Sequence, residues 1–182
     1  MKNLLWLQTG ACSGDTLSLL NADGPSLESL INGGAIELLW HPSLTAEPAG
    51  YLERLIRDIE NGVRSLDIFC VEGSLITGPY GTGMFDSFRG RAKIDIARSL
   101  AEKAEVVVAV GTCSAFAGIP AAPPNPTDCT GLQFDRESPG GVFAADWRSR
   151  GGLPVVNLAG CPTHPLTITR TLAMIAAGMP LD

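Results

Sequence analysis

The chain has 182 residues, 45% of them hydrophobic and 18% charged, with a formal net charge of −6. That is enough chain for one domain with a sizeable core, but it is too acidic and too poor in aromatics (6%) for a nucleic-acid binder, which needs a basic stripe and stacking platforms. No run approaches the ~18 uninterrupted apolar residues of a membrane-spanning helix, and the opening MKNLLWLQTG is too short and wrongly flanked for a signal peptide, so the expected location is the cytoplasm, with membranes reached only through partners.

The first apolar run, Leu4–Gln8, reads as a strand. Pro25–Ile31 reads as a short helix with a proline in its first turn, stopped at Gly33–Gly34. A second strand, Ile36–Trp40, precedes a helix in which Leu52, Leu55, Ile56 and Ile59 recur at i, i+3, i+4 and i+7 and Gly62 gives the stop. Leu66–Val71 is the third strand. The segment Gly78–Gly90, with Tyr80, Met84, Phe85 and Phe88, reads as a loop that orders on a partner. Ala92, Ile96 and Leu100 mark the next helix, and Val106–Val110 the fourth strand. Ile119–Asp146 is rich in Pro, Gly, Asn and Asp and predicts a long ordered loop, of a length that is usually functional. Pro154–Leu158 is the fifth strand. A last helix, Pro165–Ala177, ends before Gly178 and Pro180.

Each strand is near-continuously apolar, as strands covered on both faces are. The alternation predicts an α/β fold, a doubly wound parallel sheet in flavodoxin-like order, forming a single domain over residues 1–182.

The five cysteines are Cys12, Cys70, Cys113, Cys129 and Cys161. An odd, widely spaced set in a reducing compartment does not suggest disulfides. Cys12, Cys113 and Cys161 follow the first, fourth and fifth strands, at the rim where open α/β sheets hold their ligands. Each has a glycine one or two residues before it, which lets backbone approach a bulky group. Three converging thiolates suit zinc or an iron–sulfur cluster, although buried free cysteines also occur simply as small apolar residues. Asp15 stands where a C-x-x-C pair would place its second sulfur. It could equally cap a helix beginning at Thr16. Cys70, inside a strand, reads as core and Cys129 as a spare thiol. His41 is a lone histidine. His164, three residues after Cys161, reads as a helix-start residue, with a hydrogen bond near the site as the alternative.

Four motifs, Cys12-Ser13-Gly14-Asp15, Val71-Glu72-Gly73, Gly111-Thr112-Cys113 and Gly160-Cys161-Pro162, resemble in order and spacing those of the small, iron–sulfur subunit of nickel–iron hydrogenases. That family typically carries C-x-x-C, V-E-G, G-T-C and G-C-P, and the likeness runs from Leu4 to about Leu181. The resemblance implies a flavodoxin-like fold and an electron-transfer role, with Cys12, Asp15, Cys113 and Cys161 holding one 4Fe–4S cluster. It implies no catalytic residue on this chain, because the nickel–iron centre lies in a partner large subunit. Asp15 replaces the family's usual second cysteine, as in the oxygen-tolerant members this chain resembles. A three-iron cluster, or water in the fourth place, is the alternative. The extra cysteines of other oxygen-tolerant members match Gly14 and Gly118 here. For Glu72 the resemblance implies a role in proton movement or at the large-subunit interface, with Phe85 and Phe88 as anchors; the family's glutamate before the first cysteine is Ala11. The C-terminal multi-cluster region of longer members is absent, which reads as a short form or a fragment. Two other readings stay open: an H2-sensing regulatory subunit, and a non-redox flavodoxin-like module with a Cys3Asp zinc site. The further electron acceptor is not legible.

Overall fold

The computed structural model describes residues 1–181. Strands Lys2–Gln8, Ile36–Trp40, Leu66–Glu72, Ala104–Val110 and Val156–Leu158 form one parallel sheet. From one edge to the other they run second, first, third, fourth, fifth, which is the flavodoxin-like order. Successive side chains along each strand point to opposite faces. Leu5, Leu7, Phe69, Val71, Val107 and Ala109 therefore build one core. Leu4, Trp6, Ile68, Cys70, Val106 and Val108 build the other. Because both faces are covered, hardly a polar residue interrupts the strands.

Helices α3 (Ala49–Glu60) and α4 (Lys93–Lys103) cover the first face. On α3, Leu52, Leu55, Ile56 and Ile59 are all buried, each contributing about 1.5–3 kcal/mol by leaving water. Helices α1 (Gly14–Leu20), α2 (Leu27–Asn32) and α6 (Pro165–Ala176) cover the second face. Helix α5 (Thr112–Phe116) is little more than one turn at the sheet rim.

The register positions the site. Gln8 aligns with Glu72, Glu72 with Val110, and Val110 with Leu158. Four strands thus end level, and the loop after each starts from the same rim.

The structure departs from the sequence reading in several places. Helix α2 starts at Leu27, because Ser26 caps it: its Oγ accepts from the Ser29 amide at 3.1 Å, which leaves Pro25 outside. Helix α1 begins at Gly14, two residues before Thr16, and α5 is too short to show a hydrophobic periodicity. The segment 78–90 is ordered within the chain itself. Ser87–Phe88 pairs antiparallel with Arg91–Ala92, the Gly83 amide donates to the Thr77 carbonyl at 2.8 Å, and Lys93 pairs with Asp86 at 2.8 Å. Phe88 is half-buried against the core, whereas Phe85 (58%) and Tyr80 (99%) stand exposed. The long loop is ordered, as its composition suggests. Cys129–Thr130 pairs with Leu75–Ile76, and Phe134–Asp135 pairs with Ser138–Pro139. The buried Gln133 side chain shares its two amide hydrogens among the carbonyls of Ala144, Ala145 and Trp147 and accepts from the Val155 amide. Among the described residues no helix is long and apolar enough to cross a membrane.

Candidate metal-cluster site

Three loops meet at the carboxyl rim, and backbone hydrogen bonds lace them together. Gly10 and Ser74 exchange amide bonds of 2.9 and 3.2 Å, fastening the Cys12 loop to the loop after the third strand. The Thr112 amide donates to the Gly160 carbonyl at 2.8 Å, and the Gly160 amide donates to Thr112 Oγ1 at 3.0 Å. That pair joins the Cys113 and Cys161 loops. Thr163 closes the third loop through its hydroxyl, which donates to the Leu158 carbonyl at 2.7 Å.

Cys12, Asp15, Cys113 and Cys161 line one cavity of about 120 Å³, with Glu72 also on its wall. A single water needs only about 10–15 Å³, so the space suits a larger group. Cys12 and Cys161 are exposed and Cys113 is half-buried. Burial pushes the Cys113 thiol up, and the nearby Cys161 and Cys12 sulfurs push the same way, against hydrogen bonds from Ser74 and the Ile119 backbone. Three thiolates here repel one another, and no basic side chain lines the cavity to offset them. A bound metal centre would supply that charge.

Two glycines leave the space. At Gly118 (φ 58°) a Cβ would stand 2.8 Å from Cys113 Sγ, and at Gly111 (φ 90°) it would fall on the Asp15 carboxylate. Both conformations disfavour any residue with a side chain. Gly14 is also close, its added Cβ lying 3.2 Å from Cys12 Sγ.

Asp15 lies within the first turn of α1 and does not cap it. Ser13 is the N-cap residue, in a left-handed conformation (φ 64°) and without a side-chain cap bond. Asp15 Oδ1 instead accepts from the Thr163 amide at 2.7 Å, linking the first ligand loop to the third. Burial pushes the Asp15 carboxyl up, the Thr163 hydrogen bonds oppose this, and the Glu72 charge adds to it. A carboxylate so placed gains from a cation.

Glu72 is 1% exposed and faces no cation. Its Oε1 accepts from the Thr16 amide at 3.1 Å. Its Oε2 accepts from Trp6 Nε1 at 3.0 Å, Gln8 Nε2 at 2.9 Å and Thr16 Oγ1 at 2.5 Å. His41, fully buried, stacks at a tilt on Trp6 with ring centroids 5.2 Å apart. Its pKa is lowered to about 4 by burial, against the pull of the Glu72 charge. Sequence reasoning singled out Glu72 but missed its partners Trp6, Gln8 and Thr16, and His41, which faces Thr16. The legible signal was a polar residue closing an apolar strand at Gln8 and another just beyond one at His41.

The remaining singled-out residues lie elsewhere. Cys70 is fully buried in the second core, and burial pushes its thiol up. Cys129 packs with Ala117, Ala121 and Ile76, its Sγ 3.0 Å from Thr127 Oγ1. His164 is the N-cap of α6, where Nδ1 accepts from the Leu166 amide at 3.3 Å. Among the described residues no three His, Cys, Asp or Glu side chains converge as a single metal ion requires. The donor set around the cavity is three soft thiols and one hard carboxylate, ligand types that zinc and iron–sulfur clusters both accept.

The family model described as "NADH ubiquinone oxidoreductase, 20 Kd subunit" matches residues 12–175. The periplasmic NiFe hydrogenase small subunit 1 of Nitratidesulfovibrio vulgaris is 30% identical over 172 residues, covering 93% of this chain and 49% of that protein. The hydrogenase-2 small chain of Escherichia coli is 29% identical, covering 94% of this chain and 42% of that protein. The chain thus spans about half the length of these relatives. Among solved structures, an actinobacterial-type NiFe hydrogenase from Ralstonia eutropha superposes with a TM-score of 0.85 at 30% identity, covering 100% of this chain and 56% of that one. The NAD+-reducing NiFe hydrogenase shares the fold at a TM-score of 0.57 and 17% identity. The chain therefore belongs to the NADH ubiquinone oxidoreductase 20 Kd subunit family, the family of the nickel–iron hydrogenase small subunits.

Proposed function

We propose that this chain is the electron-relay part of a nickel–iron hydrogenase small subunit, holding one 4Fe–4S cluster on Cys12, Asp15, Cys113 and Cys161 and working beside a large subunit that carries the nickel–iron centre. One observation carries the reading: three thiols and one carboxylate, up to 149 residues apart in sequence (Cys12 to Cys161), line a single cavity at the sheet rim. A bound cluster supplies one-electron transfer.

The chain's own residues build and guard the place. Cys12, Cys113 and Cys161 offer soft thiolates, and Asp15 offers a carboxylate held at Oδ1 by the Thr163 amide and lying against Gly111. Gly118 keeps the backbone close to Cys113 and leaves no room for a further side chain. Any oxygen tolerance here would therefore rest on Asp15 and not on added cysteines. A proton role for Glu72 would run through its buried network, since the residue does not reach solvent.

Exposed Tyr80, Phe85 and Ile119 supply apolar anchors for the large subunit on the loops beside the rim. The experiment is visible absorption and EPR of anaerobically purified wild type and Asp15→Ala. The reading expects a brown protein and, in the variant, loss of cluster or conversion to a three-iron signal. A colourless wild type, or identical spectra, would count against it.

A further inference from the structure

Between the first ligand, Cys12, and the fourth, Asp15, the backbone takes a left-handed turn at Ser13 (φ 64°). A serine in that conformation is strained by roughly 1–2 kcal/mol, and such strain persists only where the surroundings over-determine it. The surroundings here are a closed polar network. Gln8 Nε2 shares its two hydrogens among Ser13 Oγ at 3.1 Å, Thr16 Oγ1 at 3.1 Å and Glu72 Oε2 at 2.9 Å. Thr16 Oγ1 donates to Glu72 Oε2 at 2.5 Å, a charge-assisted bond. The Thr16 amide binds the other carboxylate oxygen.

His41 completes the set. The Ser43 amide donates to its Nδ1 at 3.1 Å, so in the neutral ring the proton sits on Nε2, which faces Thr16 Oγ1 at 3.4 Å. A hydroxyl has one hydrogen and two lone pairs. Thr16 gives its hydrogen to Glu72 and accepts from Gln8 and His41, so its capacity is full. The carboxylate in turn is bound by neutral donors alone, from the first strand and from α1.

We infer that Glu72, Thr16 and Gln8 are positioning residues of the cluster site, which hold the Ser13 turn in its left-handed form and so fix Cys12 and Asp15 at the spacing the cluster needs. They act through the loop and not as ligands. Glu72 closes the third strand and Gln8 the first, at matching register. The turn is thus pinned to two adjacent strands of the core, while Cys12 itself stays exposed.

The inference rests on the proposed cluster, and its test separates the two. Anaerobically purified wild type, Thr16→Val, Thr16→Ser and Gln8→Leu are challenged with an iron chelator, release is followed by absorbance, and EPR line shapes are compared. Outer partners of metal ligands typically contribute ~10–100-fold to metal retention. Thr16→Val and Gln8→Leu are expected to release iron at least ~10-fold faster and to show altered line shapes, whereas Thr16→Ser, which keeps the hydroxyl, behaves as wild type. A distant core variant, Ile59→Val, lowers the melting temperature but releases iron at the wild-type rate. Wild-type release and spectra from both Thr16→Val and Gln8→Leu overturn the inference and leave the cluster reading standing. Equal acceleration by Ile59→Val overturns it too, because the effect is then global. Wild type without iron overturns both readings.

Discussion

The buried imidazole of His41 makes a quantitative prediction about acid. Burial lowers its pKa from 6.5 to about 4 in the folded chain. As pH falls, the unfolded chain takes up a proton at His41 near the ordinary value, while the folded chain does not until about pH 4. The unfolded state binds more protons across that window, so stability falls as pH falls through it. Stopping at about pH 5, to spare acid-labile sulfide, exercises about 1.5 pH units of the shift. At about 1.4 kcal/mol per unit that is about 2 kcal/mol. The ring is fully buried, so solvent screening takes little from this figure. His41→Gln keeps a side chain that can accept from Ser43 and donate to Thr16, but it cannot titrate. Urea unfolding of both proteins at about pH 7.5 and about pH 5 should show the wild type losing about 2 kcal/mol more than the variant. Equal losses, or a wild type that gains stability in acid, would refute the reasoning.

Other perturbations address the ligands directly. Asp15→Cys should keep a four-iron cluster and move its midpoint in a redox titration; an unmoved midpoint would argue that Asp15 does not touch iron. Cys129→Ser should leave iron per chain unchanged, since Cys129 lies in a separate small cluster; lost iron would mean the wrong thiols were assigned. Gly118→Ala combines left-handed strain with a Cβ 2.8 Å from Cys113 Sγ. It should cost about 2–3 kcal/mol in denaturant unfolding and reduce iron content; a variant as stable and as iron-rich as wild type would show that the loop yields.

The five strands could be read from the sequence because each is a long apolar run buried on both faces, and the order of the runs left few topologies open. The rim position of Cys12, Cys113 and Cys161 followed from the same fact, since a residue just past a parallel strand has only one edge to occupy. Short elements were another matter. Helix α5 spans five residues, too few for a periodicity, and α2 starts where Ser26, not Pro25, can accept a hydrogen bond. The sequence leaves Asp15 open between ligand and cap; in the structure Ser13 is the N-cap residue and the Asp15 carboxylate accepts from the amide of Thr163, 148 residues away. No local pattern encodes that contact. The Glu72 network was hidden for the same reason: Trp6, Gln8 and Thr16 reach the carboxylate and His41 reaches Thr16 from three separate segments, which only sheet register and helix packing bring together. The 78–90 segment has a loop-like composition that suggests dependence on a partner, yet its Gly83, Phe85 and Asp86 amides find acceptors within the chain, while the buried Asp86 Oδ2 has no hydrogen-bond partner.

The most direct measurement is iron and acid-labile sulfide per chain after anaerobic purification. The account predicts roughly four of each, with both lost together when Cys113 is changed to serine. One zinc per chain with no sulfide, or full iron content in Cys113→Ser, would contradict it.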